Sequence, residues 1–131
     1  MGESESDVLA LALRCDLAAP SRVRGALSQL EDLGWELGDA MLVATELVTN
    51  ALRHSACDED ELIHVQVRQT AGRLLISVHD PGASGKAAEV RAPADLGEGG
   101  VGLWLVEQLS RRWGTERLDG YRVWAEVALA A

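Results

Sequence analysis

The sequence contains no phenylalanine, one tyrosine, three prolines, two cysteines and a single lysine, Lys86. Without phenylalanine, the tryptophans Trp35, Trp104, Trp113 and Trp124 must supply most of the aromatic burial, in the core or on a partner surface. Cys15 and Cys57 show neither metal-ligand spacing nor the density of a disulfide framework. They read as two lone thiols in a reducing, cytoplasmic compartment. Basic residues are few: 12 Lys and Arg stand against 21 Asp and Glu, a net charge of −9. That balance argues against direct nucleic-acid binding, which needs clustered cations to neutralise phosphates. No apolar run approaches the roughly 20 residues that span a bilayer, and the acidic start MGESESD is not a signal peptide. A membrane-spanning or secreted chain is therefore not expected. What is present is 131 residues, 47% hydrophobic and 25% charged, enough for one folded domain around one core.

Residues 1–7 read as a disordered tail, followed by a single domain over 8–131. Val8–Leu13 is a continuous apolar run, short enough for a buried strand, although pattern alone leaves a helix open. Pro20 suits a first helical turn, and Val23, Ala26, Leu27, Leu30 and Leu33 recur at helical spacing, with Gly34 as the stop. This predicts a helix over Ala19–Leu33. A second helix covers about Leu37–Ser55, with Met41, Ala44, Leu47, Val48, Ala51 and Leu52 on its apolar face. The acidic Asp58–Glu61 is a solvated loop. Ile63, Val65 and Val67 then alternate with polar residues, and the pattern resumes over Leu74–His79 after a turn at Ala71–Gly72. Residues 81–100 have no period, and a loop of that size in a small domain reads as a lid. Val101–Trp113 is helical in character, and Thr115–Leu118 pairs through Asp119–Gly120 with Tyr121–Leu129. The expected architecture is an α+β two-layer sandwich: a mainly antiparallel, mixed sheet with about three helices on one face.

Three patches carry chemical potential. In ELVTNALRH, Glu46, Asn50 and His54 fall one turn apart on one helix face. The Asn50 carbonyl is a hard oxygen suited to Mg²⁺, and Glu46 could take a proton from a hydroxyl or water; an ordinary exposed helix face has the same spacing. Asp80 ends a strand and precedes Pro81 and Gly82, where an acceptor-only carboxylate suits an amine donor, but Asp-Pro-Gly is also ordinary turn chemistry. Gly97, Gly99, Gly100 and Gly102 open a helix, letting backbone N–H groups approach phosphate. Their spacing satisfies the dinucleotide-binding pattern but lacks the preceding strand, and no phosphate-loop Gly-Lys-Ser/Thr is present. His54, His64 and His79 fit a helix face, a strand face and a strand end, so no histidine metal site is expected. Cys57 with His54 lacks an orienting third group and is not expected to be a nucleophilic pair.

Together and in this order, Glu46, Asn50 and His54 on a helix, Asp80 and Gly82 after a strand, and Gly100 and Gly102 before a helix resemble the N, G1 and G2 boxes of the Bergerat-fold ATPases. That superfamily includes gyrase and the histidine kinases. The short chain most resembles its anti-sigma-factor serine kinase branch, over roughly Val8 to Leu129. The resemblance implies the Bergerat ATP-binding fold, ATP and Mg²⁺ as cofactors, Asn50 as the Mg²⁺ ligand and Glu46 as the catalytic base. It implies Asp80 on the adenine amine and Gly82 giving the ring room. Gly99, Gly100, Val101, Gly102 and Leu103 would lie around the phosphates, with Arg53 and His54 near phosphate or ribose. It also implies a serine/threonine protein kinase that regulates transcription by partner switching. Its partners would be an anti-anti-sigma protein of the STAS type, phosphorylated on serine, and a sigma factor, with the kinase as a possible homodimer. The alternative is a non-catalytic, nucleotide-gated module that sequesters a sigma factor or another partner. A detached histidine-kinase ATPase domain fits less well, for want of a preceding helical phosphoacceptor segment. Two departures stand out: Ser84 occupies the last glycine place of the G1 box, and the threonine usual near adenine has no clear counterpart in the final strand.

Overall fold

The computed structural model describes residues 6–54, 58, 60–81 and 101–129. In chain order the elements are β1 (Ser6–Arg14), α1 (Ala19–Asp32), α2 (Gly38–His54), β2 (Leu62–Thr70), β3 (Arg73–Asp80), α3 (Val101–Leu109), β4 (Arg112–Leu118) and β5 (Gly120–Ala128). The five strands form one sheet in the order β1-β2-β3-β5-β4. Every pairing among the described residues is antiparallel, so the sheet is less mixed than expected. The α+β, two-layer arrangement is as the sequence predicts.

Period-two alternation puts Ile63, Val65 and Val67 of β2, Leu74, Ile76 and Val78 of β3, and Val123, Ala125 and Val127 of β5 on one buried face. That face packs against Val23 and Leu27 of α1, a stripe of Val43, Ala44, Leu47, Val48 and Ala51 on α2, and Leu103 and Val106 of α3. Pro20 lies in the first turn of α1. Gly34 ends that helix with φ 99°, its N–H donating to the Glu31 carbonyl at 2.9 Å. Helix α2 is the shared element, packing on α1, α3, β2, β3 and β5.

The boundaries differ from expectation in two places. Strand β1 reaches back to Ser6, two residues before the boundary expected at Val8, where Arg68 Nε donates to Asp7 Oδ1 at 3.0 Å. Helix α3 stops at Leu109 rather than Trp113. Trp113 instead pairs with Ala125 and Arg112 with Glu126 in the β4–β5 ladder, and the Arg111 N–H donates to the Glu126 carbonyl at 2.7 Å. Tertiary pairing outweighs the local helical pattern there. Gly114 in β4 leaves room for the Trp124 indole, which an added Cβ would meet at 2.9 Å. All four tryptophans are half-buried.

Cys15, at the end of β1, is buried and disulfide-bonded, which corrects its reading as a lone thiol. The bond depends on how distant segments meet in space, and sequence spacing carries no sign of that. The thiol argument for a reducing compartment loses its premise. Cys57 lies outside the described residues. No helix among the described residues is long and apolar enough to cross a membrane.

On the outer face of the sheet, the buried carboxylate of Glu126 accepts from Arg73 Nη1 at 2.9 Å and from Arg112 Nη2 at 2.6 Å. The Arg112 hydrogen bond holds this carboxyl below the usual range against the opposing effect of burial, with Arg73 assisting. A depressed carboxylate stabilises the fold above its unfolded-state pKa of about 4.3. That contribution is lost as pH falls through the lower, folded value. Glu126→Gln should therefore cost about 1–2 kcal/mol at neutral pH. The gap to wild type should shrink below about pH 4. Urea midpoints across that range read both effects, and a gap that does not change with pH would remove the ion cluster from the acid response.

Candidate functional site

Helix α2 carries Glu46, Asn50, Arg53 and His54. Its apolar stripe fixes the rotation of the helix on the sheet, and that rotation decides how deeply each polar side chain sits. Glu46 is half-buried, Asn50 is buried at 9% exposure, and Arg53 is exposed. Residues four apart rise about 6 Å along the axis, so a carboxylate and an amide follow one another along the helix. His54 is the last residue of α2, and its side chain lies outside the described atoms.

Asp80 is the last residue of β3, the middle strand of the sheet. It continues the inward row Leu74, Ile76, Val78, so alternation turns its carboxylate toward the helices. It is 4% exposed. A carboxylate at the end of an apolar row is costly to bury unless it meets donors. The buried polar side chains among the described residues are Asn50, Ser77, Asp80 and Glu126. Ser77 and Glu126 belong to the outer face, where Arg73 and Arg112 hold Glu126. Asn50 and Asp80 lie on the helix side, where α2 packs on β3.

Helix α3 begins at Val101, with Gly102 and Leu103 in its first turn. Leu103 is buried and anchors that turn to the core, while the first backbone N–H groups of a helix have no partner within it. Because α3 also packs on α2, the elements that carry Asp80 and the start of α3 both touch the helix that carries Glu46 and Asn50. Gly82, Gly99 and Gly100 lie outside the described residues, as does the expected lid after Pro81.

His64 and His79 are cross-strand partners with ring centroids 6.5 Å apart. They sit on the outer face, away from Asn50 and Asp80. A cavity of about 360 Å³ lined by Arg73, Arg112, Glu116, Arg122, Trp124 and Glu126 occupies that outer face too. Its charges already pair within it: Arg122 reaches Glu116 at 3.4 Å, and Glu126 holds the other two arginines.

Sequence reasoning missed the neighbours of Asp80. Tyr121 is its register partner on β5, and Gly120 lies so close that an added Cβ would overlap the Asp80 carbonyl oxygen. Some 40 residues separate these positions from Asp80, so only the strand order could have revealed them.

Residues 10–124 match the family model of the histidine kinase-like ATPase domain. The chain is also similar in structure to the RsbU and RsbW domains of Rv1364c from Mycobacterium tuberculosis, at 22% identity and a TM-score of 0.67. That match covers 92% of this chain and 31% of the other, so the chain spans about a third of the solved protein's length. No curated protein matches the sequence.

Proposed function

The chain belongs to the histidine kinase-like ATPase domain family, and from that premise we propose an ATP-binding serine/threonine protein kinase of the anti-sigma-factor type. It phosphorylates a serine on an anti-anti-sigma protein of the STAS type and thereby regulates transcription by partner switching, with a sigma factor as its other partner. A homodimer is the proposed assembly and the cytoplasm its place of work. The observation that carries the reading is the burial of Asn50 on α2 and of Asp80 at the end of β3, on the face of the sheet against which α2 packs.

The residues present fit a magnesium nucleotide. Asp80 accepts a hydrogen bond from the amine of the base, and its burial excludes competing water. Asn50 offers its amide oxygen as a hard ligand for Mg²⁺, which binds through few protein groups together with phosphates. The first turn of α3, Val101, Gly102 and Leu103, supplies N–H groups to phosphate oxygens, joined by Gly99 and Gly100. In this reading Gly82 would give the base room, and Arg53 and His54 would serve phosphate or ribose. Bound Mg-ATP supplies the phosphoryl group and the charge neutralisation its transfer requires. Glu46, one turn before Asn50 and half-buried, takes the proton from the serine hydroxyl of the incoming protein.

Calorimetric titration with Mg-ATP tests the nucleotide half of this reading. The wild type is expected to bind, and Asn50→Ala and Asp80→Asn are each expected to lose at least about tenfold in affinity. Equal affinity in all three proteins would sink the site. Tight binding without phosphoserine on any STAS-type protein would turn the reading to a non-catalytic, nucleotide-gated module.

A further inference from the structure

We propose that β1 is the surface through which two copies of this chain pair, edge to edge and antiparallel, about a twofold axis at Leu11. The inference gives a surface to the homodimer proposed above and rests on that reading.

Among the described residues β1 pairs only with β2, so it forms one edge of the sheet, and β4 forms the other. An edge strand presents a row of unpaired N–H and C=O groups, and charged side chains are one device that keeps such an edge from pairing. The two edges differ in this respect. Strand β4 reads RWGTERL, with Arg112, Glu116 and Arg117 among its residues. Strand β1 reads SDVLALALR, with no charge between Asp7 and Arg14 and no proline. Leu9, Leu11 and Leu13 stand opposite Val67, Val65 and Ile63 and so face the helices, while Ala10 and Ala12 stand opposite Gln66 and His64 on the outer face. Val65 and Val67 are fully buried, yet Leu9 and Leu11 are only half-buried. The helix layer stops short of this edge and leaves apolar surface for a neighbour.

The sequence of β1 specifies which neighbour. Leu9-Ala10-Leu11-Ala12-Leu13 reads the same in both directions about Leu11. Laid antiparallel on a second copy with Leu11 opposite Leu11, it sets Leu9 against Leu13 and Ala10 against Ala12, and every leucine stays on the helix side. The ends match in charge. The register of β1 on β2 shifts by one residue between Asp7 and Leu9. That shift puts Asp7 on the outer face, where Arg68 Nε donates to it. It also brings Asp7 to the place opposite Arg14 of the second copy. Arg14 lies on the same outer face, opposite Leu62, and both Asp7 and Arg14 are exposed. An opposite-charge pair then closes each end of the seam. Contacts repeated about a twofold form a closed assembly that stops at two copies. Asp80 ends β3, two strands in from this edge, so the seam leaves the candidate site clear.

The test is sedimentation equilibrium over a concentration series on wild type and two double variants, Ala10→Glu with Ala12→Glu and Ala10→Glu with Ala12→Lys. Both alanines are exposed, so neither variant touches the core, and thermal melts run alongside report on folding. The first variant sets glutamate opposite glutamate twice across the twofold, and its dimer should weaken at least about tenfold. The second sets glutamate opposite lysine at the same two places, and its Kd should return to within about threefold of wild type. In the unmodified protein, the amides of β1 should exchange with deuterium more slowly at concentrations where the dimer dominates. A dimeric wild type with an equally tight Glu/Glu variant overturns the inference and leaves the homodimer reading standing. Equal weakening of both variants overturns it too, and so does β1 exchange that ignores concentration in a dimeric protein. A wild type that stays monomeric removes the homodimer reading itself, and this seam with it.

Discussion

Glu46→Gln is expected to abolish phosphoryl transfer to a serine-bearing partner while leaving Mg-ATP affinity within about threefold of wild type. The two effects separate because the glutamate and the amide do different work on the same helix. Asn50 is buried, whereas Glu46, one turn earlier, is half-buried; in the proposed reading the first holds Mg²⁺ and the second takes the proton of a serine hydroxyl. Glutamine has the size of glutamate but no basicity, so the packing of α2 survives and the proton acceptor does not. A positioned general base contributes about 10²–10⁴-fold in rate. Single-turnover transfer from radiolabelled ATP, beside a calorimetric titration, reads both quantities. Transfer at more than about a tenth of the wild-type rate would take the base role away from Glu46.

Leu47→Ala carries the largest expected cost to the fold. Leu47 is fully buried in the middle of α2, among Val43, Ala44, Val48 and Ala51. Truncating a buried leucine removes its transfer free energy and leaves a cavity, at a cost of about 2–5 kcal/mol. Against a typical stability of about 5–15 kcal/mol, that is a lowering of Tm by roughly 10 °C or more for a domain of this size. Because α2 also carries the site, Mg-ATP at a hundred times Kd should return about 2.7 kcal/mol by binding only the folded state. A melt that falls as expected and does not recover with nucleotide would mean that α2 no longer presents Asn50 once Leu47 is gone. No change in Tm would contradict the assigned packing.

The elements that carry the candidate site were legible where the local pattern is strong. The stripe through Leu47, Val48 and Ala51 marks α2 as a helix, and one-turn spacing then relates Glu46 to Asn50 without any tertiary knowledge. Alternation through Ile76 and Val78 likewise marks the strand whose end is Asp80. What the sequence hid is what only distant pairing creates. Arg112 and Trp113 continue a helical pattern locally, yet the ladder with Ala125 and Glu126 takes them into β4. Glu126 holds Arg73 from 53 positions away, and no window on the sequence contains both. Gly120 reads as a turn residue in isolation. Its second duty, clearing the Asp80 carbonyl, appears only when β5 lies beside β3.

The strand order has a consequence for timing. Asp80 ends the middle strand, which is hydrogen-bonded to β2 on one side and β5 on the other. Amides of such a strand exchange with deuterium only when the whole domain opens. Helix α3, nine residues long and packed on α2 and the edge strand β4, is expected to open at lower free energy than that strand. On the proposed reading, the Asp80 end of the site is thus the preformed one and the α3 end the adjustable one. If the proposed site is right, deuterium uptake in α3, not in β3, is where nucleotide binding is expected to register.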